Sequence, residues 1–176
     1  MRVLLHICCA NCLLYPLKVL RGEGMEVMGF FYNPNIHPYQ EYARRRDTLK
    51  DYAERVDLKV IWRDDYQLER FLQAVAFREG NRCEICYHMR LEAAAQVAKH
   101  GKFDAFSTTL LYSKHQKFQS IVEIGESLGK LYGVRFLPRD FREGWKEGIE
   151  ESKRLGLYRQ QYCGCIFSEK ERFLGR

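Results

Sequence analysis

All seven cysteines of this 176-residue chain fall in three short stretches: Cys8, Cys9 and Cys12; Cys83 and Cys86; Cys163 and Cys165. An odd count leaves a thiol outside any complete disulfide framework, and clustered cysteines more often bind metal or carry out redox chemistry in a reducing compartment. Two sulfurs three residues apart, as at Cys9–Cys12 and Cys83–Cys86, face one way from a helical turn and can hold one metal ion or one corner of a cluster each. Cys163-Gly164-Cys165 reaches the same convergence in a loop, where glycine lets the backbone approach closely. Tetrahedral zinc and a 4Fe-4S cluster each take four cysteines, so three thiols are left over. If the first strand runs on through Cys8 and Cys9, those neighbours point in different directions, which suggests two adjacent centres. The spacing alone does not separate iron from zinc.

The elements that position these thiols follow from hydrophobic patterning. Short apolar runs at Val3 to Ile7, Val27 to Tyr32, Leu58 to Trp62, Phe103 to Ser107 and Val134 to Leu137 predict five strands. Between them, residues 12–21, 40–56, 66–78, 84–100, 117–132 and about 144–155 carry apolar residues three and four apart, the helical pattern. Alternating strand and helix specify right-handed crossovers: an α/β fold with a mostly parallel five-stranded sheet, helices on both faces and a site at the strands' carboxyl ends. Cys8, Cys9 and Cys12 then follow the first strand and open a helix, where unpaired N–H groups and the helix dipole lower thiol pKa.

Composition bounds the rest. At 46% hydrophobic and 30% charged residues with a net charge of +6, the chain is globular and only modestly basic. Its length predicts a single domain over 1–176, with the Cys-rich segment from about 157 to 176 folding back on the active site. No stretch of 18 apolar residues suggests a membrane span, and His6, Asn11 and Pro16 interrupt what would be a signal peptide, so a cytoplasmic location is expected. No G-x-x-x-x-G-K or G-x-G-x-x-G phosphate loop occurs, which argues against ATP use.

The stretches His6 to Cys12 (HICCANC), Phe31 to Tyr42 (FYNPNIHPYQEY), Arg82 to Leu91 (RCEICYHMRL), Phe106 to Lys117 (FSTTLLYSKHQK), Asp140 to Gly144 (DFREG) and Tyr158 to Ser168 (YRQQYCGCIFS) resemble the QueH-type epoxyqueuosine reductases across nearly the whole chain. The resemblance implies the adenine-nucleotide alpha-hydrolase (HUP-like) fold. It also implies reduction of the epoxide of epoxyqueuosine at the tRNA wobble position, the last step of queuosine biosynthesis. The cofactors so implied are a 4Fe-4S cluster beside a second, mononuclear iron helped by a carboxylate, without cobalamin. Asn11 stands where proline is expected in that loop, a departure that touches no ligand.

Because each C-x-x-C presents two thiolates to one cluster, Cys9, Cys12, Cys83 and Cys86 are assigned to the 4Fe-4S centre, leaving Cys8, Cys163, Cys165 and Asp140 for the second iron. Asp140 is chosen because strand ends converge on one crevice, with Glu84 next in line. His6, two residues before the metal loop, and Tyr162 are further catalytic candidates, with Tyr158 beside them as a proton source. Tyr32, Asn33, Asn35 and His37 are placed along the wall of a pocket for an unstacked nucleoside. Ser107 and Thr108 are candidates for a tRNA phosphate, and Arg44 to Arg46, with Lys114, His115 and Lys117, for RNA contact. The partners expected are tRNA carrying epoxyqueuosine, an electron donor such as a ferredoxin or flavodoxin, and no membrane. Two other classes fit the cysteines: an iron-sulfur-dependent tRNA sulfur-transfer enzyme and a non-catalytic zinc module that binds nucleic acid.

Overall fold

A computed structural model of the chain describes residues 1–175. Five strands, β1 (Arg2–Ile7), β2 (Glu26–Phe31), β3 (Val60–Trp62), β4 (Ala105–Thr108) and β5 (Arg135–Phe136), form one sheet in the order β3-β2-β1-β4-β5, with every pairing parallel. Between them run α1 (Ala10–Gly22), α2 (Tyr39–Arg55), α3 (Leu68–Val75), α4 (Arg82–His100) and α5 (Phe118–Tyr132), followed by α6 (Trp145–Arg154) and α7 (Ile166–Phe173). The α/β class and all five expected strands are present. The strand of 103–107 begins two residues later than its apolar run suggests, because Phe103 packs in the core before the ladder starts.

After β3 the chain crosses to the far side of β1 to lay down β4, so the order of the sheet reverses at β1. An open parallel sheet leaves a crevice at such a reversal, outside the strands' carboxyl ends. Register brings those ends level: Ile7 pairs with Phe31, and His6 with Thr108. Cys8, Tyr32 and Thr109 therefore leave the sheet side by side. β1 is buried from Val3 onward, as befits a central strand covered on both faces.

The segment after α6 returns to this end of the sheet and is fastened by polar contacts. His37 N–H donates to the Gly164 carbonyl at 2.8 Å, Tyr158 Oη to Glu41 Oε2 at 2.5 Å, and Arg82 at the start of α4 pairs with Glu171 of α7. Helix α7 has no counterpart among the helices expected from the sequence. It is short, has no buried residue, and starts where the Cys165 side chain accepts from Ser168 N–H, a weak cap that periodicity does not reveal.

Candidate metal centre

The seven thiols gather at the carboxyl end of the sheet in two groups. Cys8, Cys9 and Cys12 form the first, their sulfurs all within 4.8 Å of one another. Cys9 is the extended residue before α1, so the chain turns from strand to helix inside the triad, but the Cys9 side chain caps no N–H of α1 and the expected lowering by the helix end is not seen at Cys9 or Cys12, both of which are raised. Thr109, buried at the end of β4, accepts from Cys8 N–H and lies 3.3 Å from Cys8 Sγ. Hydrogen bonds from Cys12 and Cys9, with Thr109 adding to them, hold the Cys8 thiol well below its ordinary range. Hydrogen bonding to Cys8 and Cys9 pushes Cys12 up, so the triad begins to ionise at Cys8.

The second group surrounds a narrow cleft of about 20 Å³ lined by Cys83, Cys86, Cys163 and Cys165 with Asn35 and Arg90 among the other walls. Cys163 and Cys165 Sγ are 4.0 Å apart, and Cys163 lies 2.9 Å from Ser168 Oγ. Hydrogen bonds from Cys165 and Ser168 lower Cys163 to about 5, while burial pushes Cys86 up to about 12. Gly164 makes the turn between the pair: its φ is +141°, and a Cβ there would sit 3.1 Å from Ile36 and 3.2 Å from Arg45 Nη1.

This grouping differs from the expected ligand partition. Cys83 and Cys86 face Cys163 and Cys165, not Cys9 and Cys12, because α4 starts beside the C-terminal segment while the triad stays in the β1–α1 turn. Asp140 is not brought to either group. It is exposed, and Arg142 Nε and Nη2 occupy its two oxygens at 2.9 and 2.7 Å. Glu84 gives one oxygen to Lys117 at 2.7 Å and keeps the other buried without a partner.

Two buried arginines tie the site together. Arg90 on α4 is 3% exposed, donates to the Cys86 carbonyl and places Nη2 2.9 Å from Cys86 Sγ. Its charge favours the thiolate forms of Cys8, Cys86 and Cys163, and none of the ion pairs among the described residues includes it. A buried guanidinium without a carboxylate calls for other negative charge nearby, which thiolates supply. Arg45 is 2% exposed; its Nε binds Glu41, and Nη1 and Nη2 donate to the carbonyls of Cys163 and Tyr162 at 2.8 and 2.9 Å. The expectation that the arginine triplet faces RNA therefore fails for Arg45, which occupies the inner face of α2, whereas Arg44 is exposed and sits 5.6 Å over the Tyr158 ring.

Several candidate residues serve the scaffold. His6 is fully buried, with Nδ1 2.9 Å from Thr108 Oγ1 and Nε2 3.0 Å from the Tyr32 carbonyl. Only a protonated Nε2 satisfies that carbonyl, which leaves no ring nitrogen for proton transfer. Ser107 donates to the Leu137 carbonyl and Thr108 accepts from Leu110 N–H, so both hydroxyls expected at a phosphate are engaged within the fold. Tyr162 donates to the His37 carbonyl at 2.5 Å, Asn33 donates to the Ile7 carbonyl at 2.9 Å, and Tyr32 donates to Gln67 at 3.1 Å. Of the four residues expected along a pocket wall, Asn35 lines the cleft, and its buried Oδ1 has no partner. His37 is buried against Phe71, another residue of the cleft wall.

Asn11 does more than the sequence revealed. Its amide donates to the Tyr158 carbonyl and to Gln160 Oε1, both at 2.8 Å, and Ser152 donates to its Oδ1 at 2.6 Å. Gln160 in turn places Nε2 3.0 Å from Cys9 Sγ. The side chain inside the first cysteine cluster thus anchors the segment that carries the last.

The family model described as epoxyqueuosine reductase QueH matches residues 3–171. The chain belongs to the QueH family. Among its curated QueH relatives, the epoxyqueuosine reductase of Dehalococcoides mccartyi is 40% identical over 173 residues, covering 98% of this chain and 94% of that protein. The Thermotoga maritima QueH is 40% identical over 179 residues, 97% of this chain and 91% of the relative. In fold, the chain is similar to a crystal structure described as a predicted subunit of a tRNA methyltransferase from Methanocaldococcus jannaschii, with a TM-score of 0.57 at 14% identity over 87% of this chain and 74% of that one. Against the QueH background, a zinc module without catalysis finds no support.

Proposed function

We propose that this QueH chain reduces the epoxide of epoxyqueuosine in tRNA to queuosine, taking two electrons and two protons and releasing the oxygen as water. The observation that carries the reading is the gathering of seven thiols around the switch point of the sheet in a member of this family. Four thiols spread around a cleft suit a 4Fe-4S cluster, and three within 4.8 Å of one another suit a single ion, so Cys83, Cys86, Cys163 and Cys165 would hold the cluster and Cys8, Cys9 and Cys12 the second iron. Together these metals supply single electrons and a Lewis acid for the epoxide oxygen, with no need of cobalamin.

The chain's own residues do the rest. Arg90 balances thiolate charge from inside the protein, and Asn35 keeps an unpartnered amide oxygen in the wall of the cleft. Arg45 and Tyr162 hold the Cys163–Cys165 loop closed over the end of the sheet. Cys163 lies at the open side, where an unstacked wobble nucleoside would arrive. A cytoplasmic location and a ferredoxin or flavodoxin donor belong to the same proposal; no helix among the described residues is long and apolar enough to cross a membrane.

Anaerobic incubation of the metal-loaded enzyme with epoxyqueuosine tRNA and a chemical reductant, without ATP or cobalamin, tests it. Digestion and mass analysis are expected to show the nucleoside losing one oxygen. Unchanged nucleoside from fully loaded, reduced enzyme overturns the reading, and an ATP-dependent gain of sulfur would replace it with sulfur transfer.

A further inference from the structure

Phe77 is fully exposed and holds φ at +59°, in the turn between α3 and α4. A bulky aromatic residue seldom adopts that conformation, and an exposed ring gains no burial in return. The turn is nonetheless tightly specified. Phe77 N–H donates to Glu79 Oε1 at 3.2 Å, Arg78 N–H to the Val75 carbonyl at 2.8 Å, and Asn81 N–H to the Arg78 carbonyl at 2.8 Å. Glu79 is engaged with this backbone, while Arg78, the next residue along the chain, is exposed.

The place of the turn gives the ring a use. Val75 is buried against Phe71, Cys86 and Cys165, and Phe71, Arg82, Cys83 and Cys86 line the cleft. Two residues of chain span at most about 7 Å, so the Phe77 backbone lies within that reach of Val75, which packs against side chains of the cleft wall. Arg82 is engaged by Glu171 and the Phe167 ring, which leaves Phe77 with the exposed Arg78 next to it in the chain, and one ring is too small for the apolar centre of a protein interface, which needs several large side chains. It suits a nucleobase, whose flat face stacks on an aromatic side chain while a neighbouring guanidinium meets the phosphate.

We infer that Phe77 is a stacking platform for an anticodon-loop base near the nucleoside bound at the thiol-lined end of the sheet, with Arg78 contacting the adjoining backbone. This rests on the reading that tRNA is the substrate. The strained turn presents the ring before RNA arrives, so that stacking orders the base without first ordering the protein.

Binding of epoxyqueuosine tRNA to the metal-loaded enzyme, followed alongside steady-state reduction, tests the inference. Phe77→Ala is expected to raise the tRNA Kd and KM about 10- to 100-fold with kcat within about twofold of the parent, the effect of losing one stacked base. Phe77→Trp should keep the affinity, and the fluorescence of the introduced indole should be quenched by this tRNA. Wild-type enzyme that binds tRNA no more tightly than Phe77→Ala, or an introduced indole that stays unquenched in a saturated complex of Phe77→Trp, overturns the platform while leaving the substrate reading intact. A higher requirement for donor protein at unchanged tRNA KM would assign Phe77 to the electron donor and likewise overturn it. Wild-type enzyme that binds no tRNA at all would sink the substrate reading itself.

Discussion

Arg90 Nη2 lies 2.9 Å from Cys86 Sγ, one turn along the same helix, and both side chains are buried. The sulfur therefore has a permanent cation at hydrogen-bond distance, and the cation has no carboxylate to neutralise it among the ion pairs of the described residues. Oxidised and reduced clusters differ by one negative charge, and a fixed cation stabilises the more negative state.

Arg90→Gln is expected to lower the reduction potential of the cluster by on the order of 100 mV, since a charge a few ångströms away at an effective dielectric near 20 is worth ~1–4 kcal/mol. Potentiometric titration followed by EPR measures it. An unchanged potential in a protein with full iron would show that the guanidinium serves packing alone.

Arg45 gives a prediction on stability. Its guanidinium binds Glu41 and the carbonyls of Tyr162 and Cys163, so Arg45→Ala strands a buried carboxylate and two carbonyls. Loss of one partner from a buried pair costs ~3–5 kcal/mol, which corresponds to a Tm about 10 °C lower for a chain of this size. Limited proteolysis should show cleavage after residue 157 before the rest of the fold is cut. Arg45→Lys should recover little, because one ammonium replaces three directed donors.

His6 sets a pH dependence. Burial, with the Arg90 charge adding to it, lowers its pKa from 6.5 to about 4, so the folded protein binds its proton less readily than the unfolded chain. The contribution is complete above pH 6.5 and is lost as pH falls from 6.5 toward 4, where it amounts to ~3 kcal/mol. Urea titrations of wild type and His6→Gln at pH 7.5 and 4.5 isolate it from the carboxylates. The variant should lose less stability between the two pH values, and equal losses would mean that His6 titrates normally.

The strands, their parallel sense and the placing of the first cysteines at a strand end are legible in the sequence because each rests on local patterning: short apolar runs with helical periods between them. The long-range partners are not. Arg45 reads as the middle of an exposed basic triplet, yet Glu41, Tyr42 and Leu49 share its buried face of α2, a spacing that points to its inward position. Arg90 stands four residues after Cys86, on the same face of α4, and carries a similar signal. Asn11 and Thr109 offer none, since their partners lie about 140 and 100 residues away along the chain, and the left-handed backbone of Phe77 leaves no mark on hydrophobic periodicity.

The ligand partition is where sequence and structure diverge most sharply, and paired cysteine substitutions decide between them. Pairing by C-x-x-C motif puts Cys9, Cys12, Cys83 and Cys86 on the cluster, so Cys163→Ala/Cys165→Ala would stay brown and Cys9→Ala/Cys12→Ala would be colourless. The structure groups Cys163 and Cys165 with Cys83 and Cys86 around one cleft, and Cys8, Cys9 and Cys12 apart from them. Under that grouping the colours reverse. The Cys163→Ala/Cys165→Ala protein loses the cluster, while Cys9→Ala/Cys12→Ala keeps about four irons, the sulfide and the broad absorption near roughly 400 nm but no longer turns over. Circular dichroism of each variant separates loss of metal from loss of fold. A brown, folded Cys163→Ala/Cys165→Ala protein beside a colourless, folded Cys9→Ala/Cys12→Ala protein would return the cluster to the motif pairs and leave Cys8, Cys163 and Cys165 for the second iron.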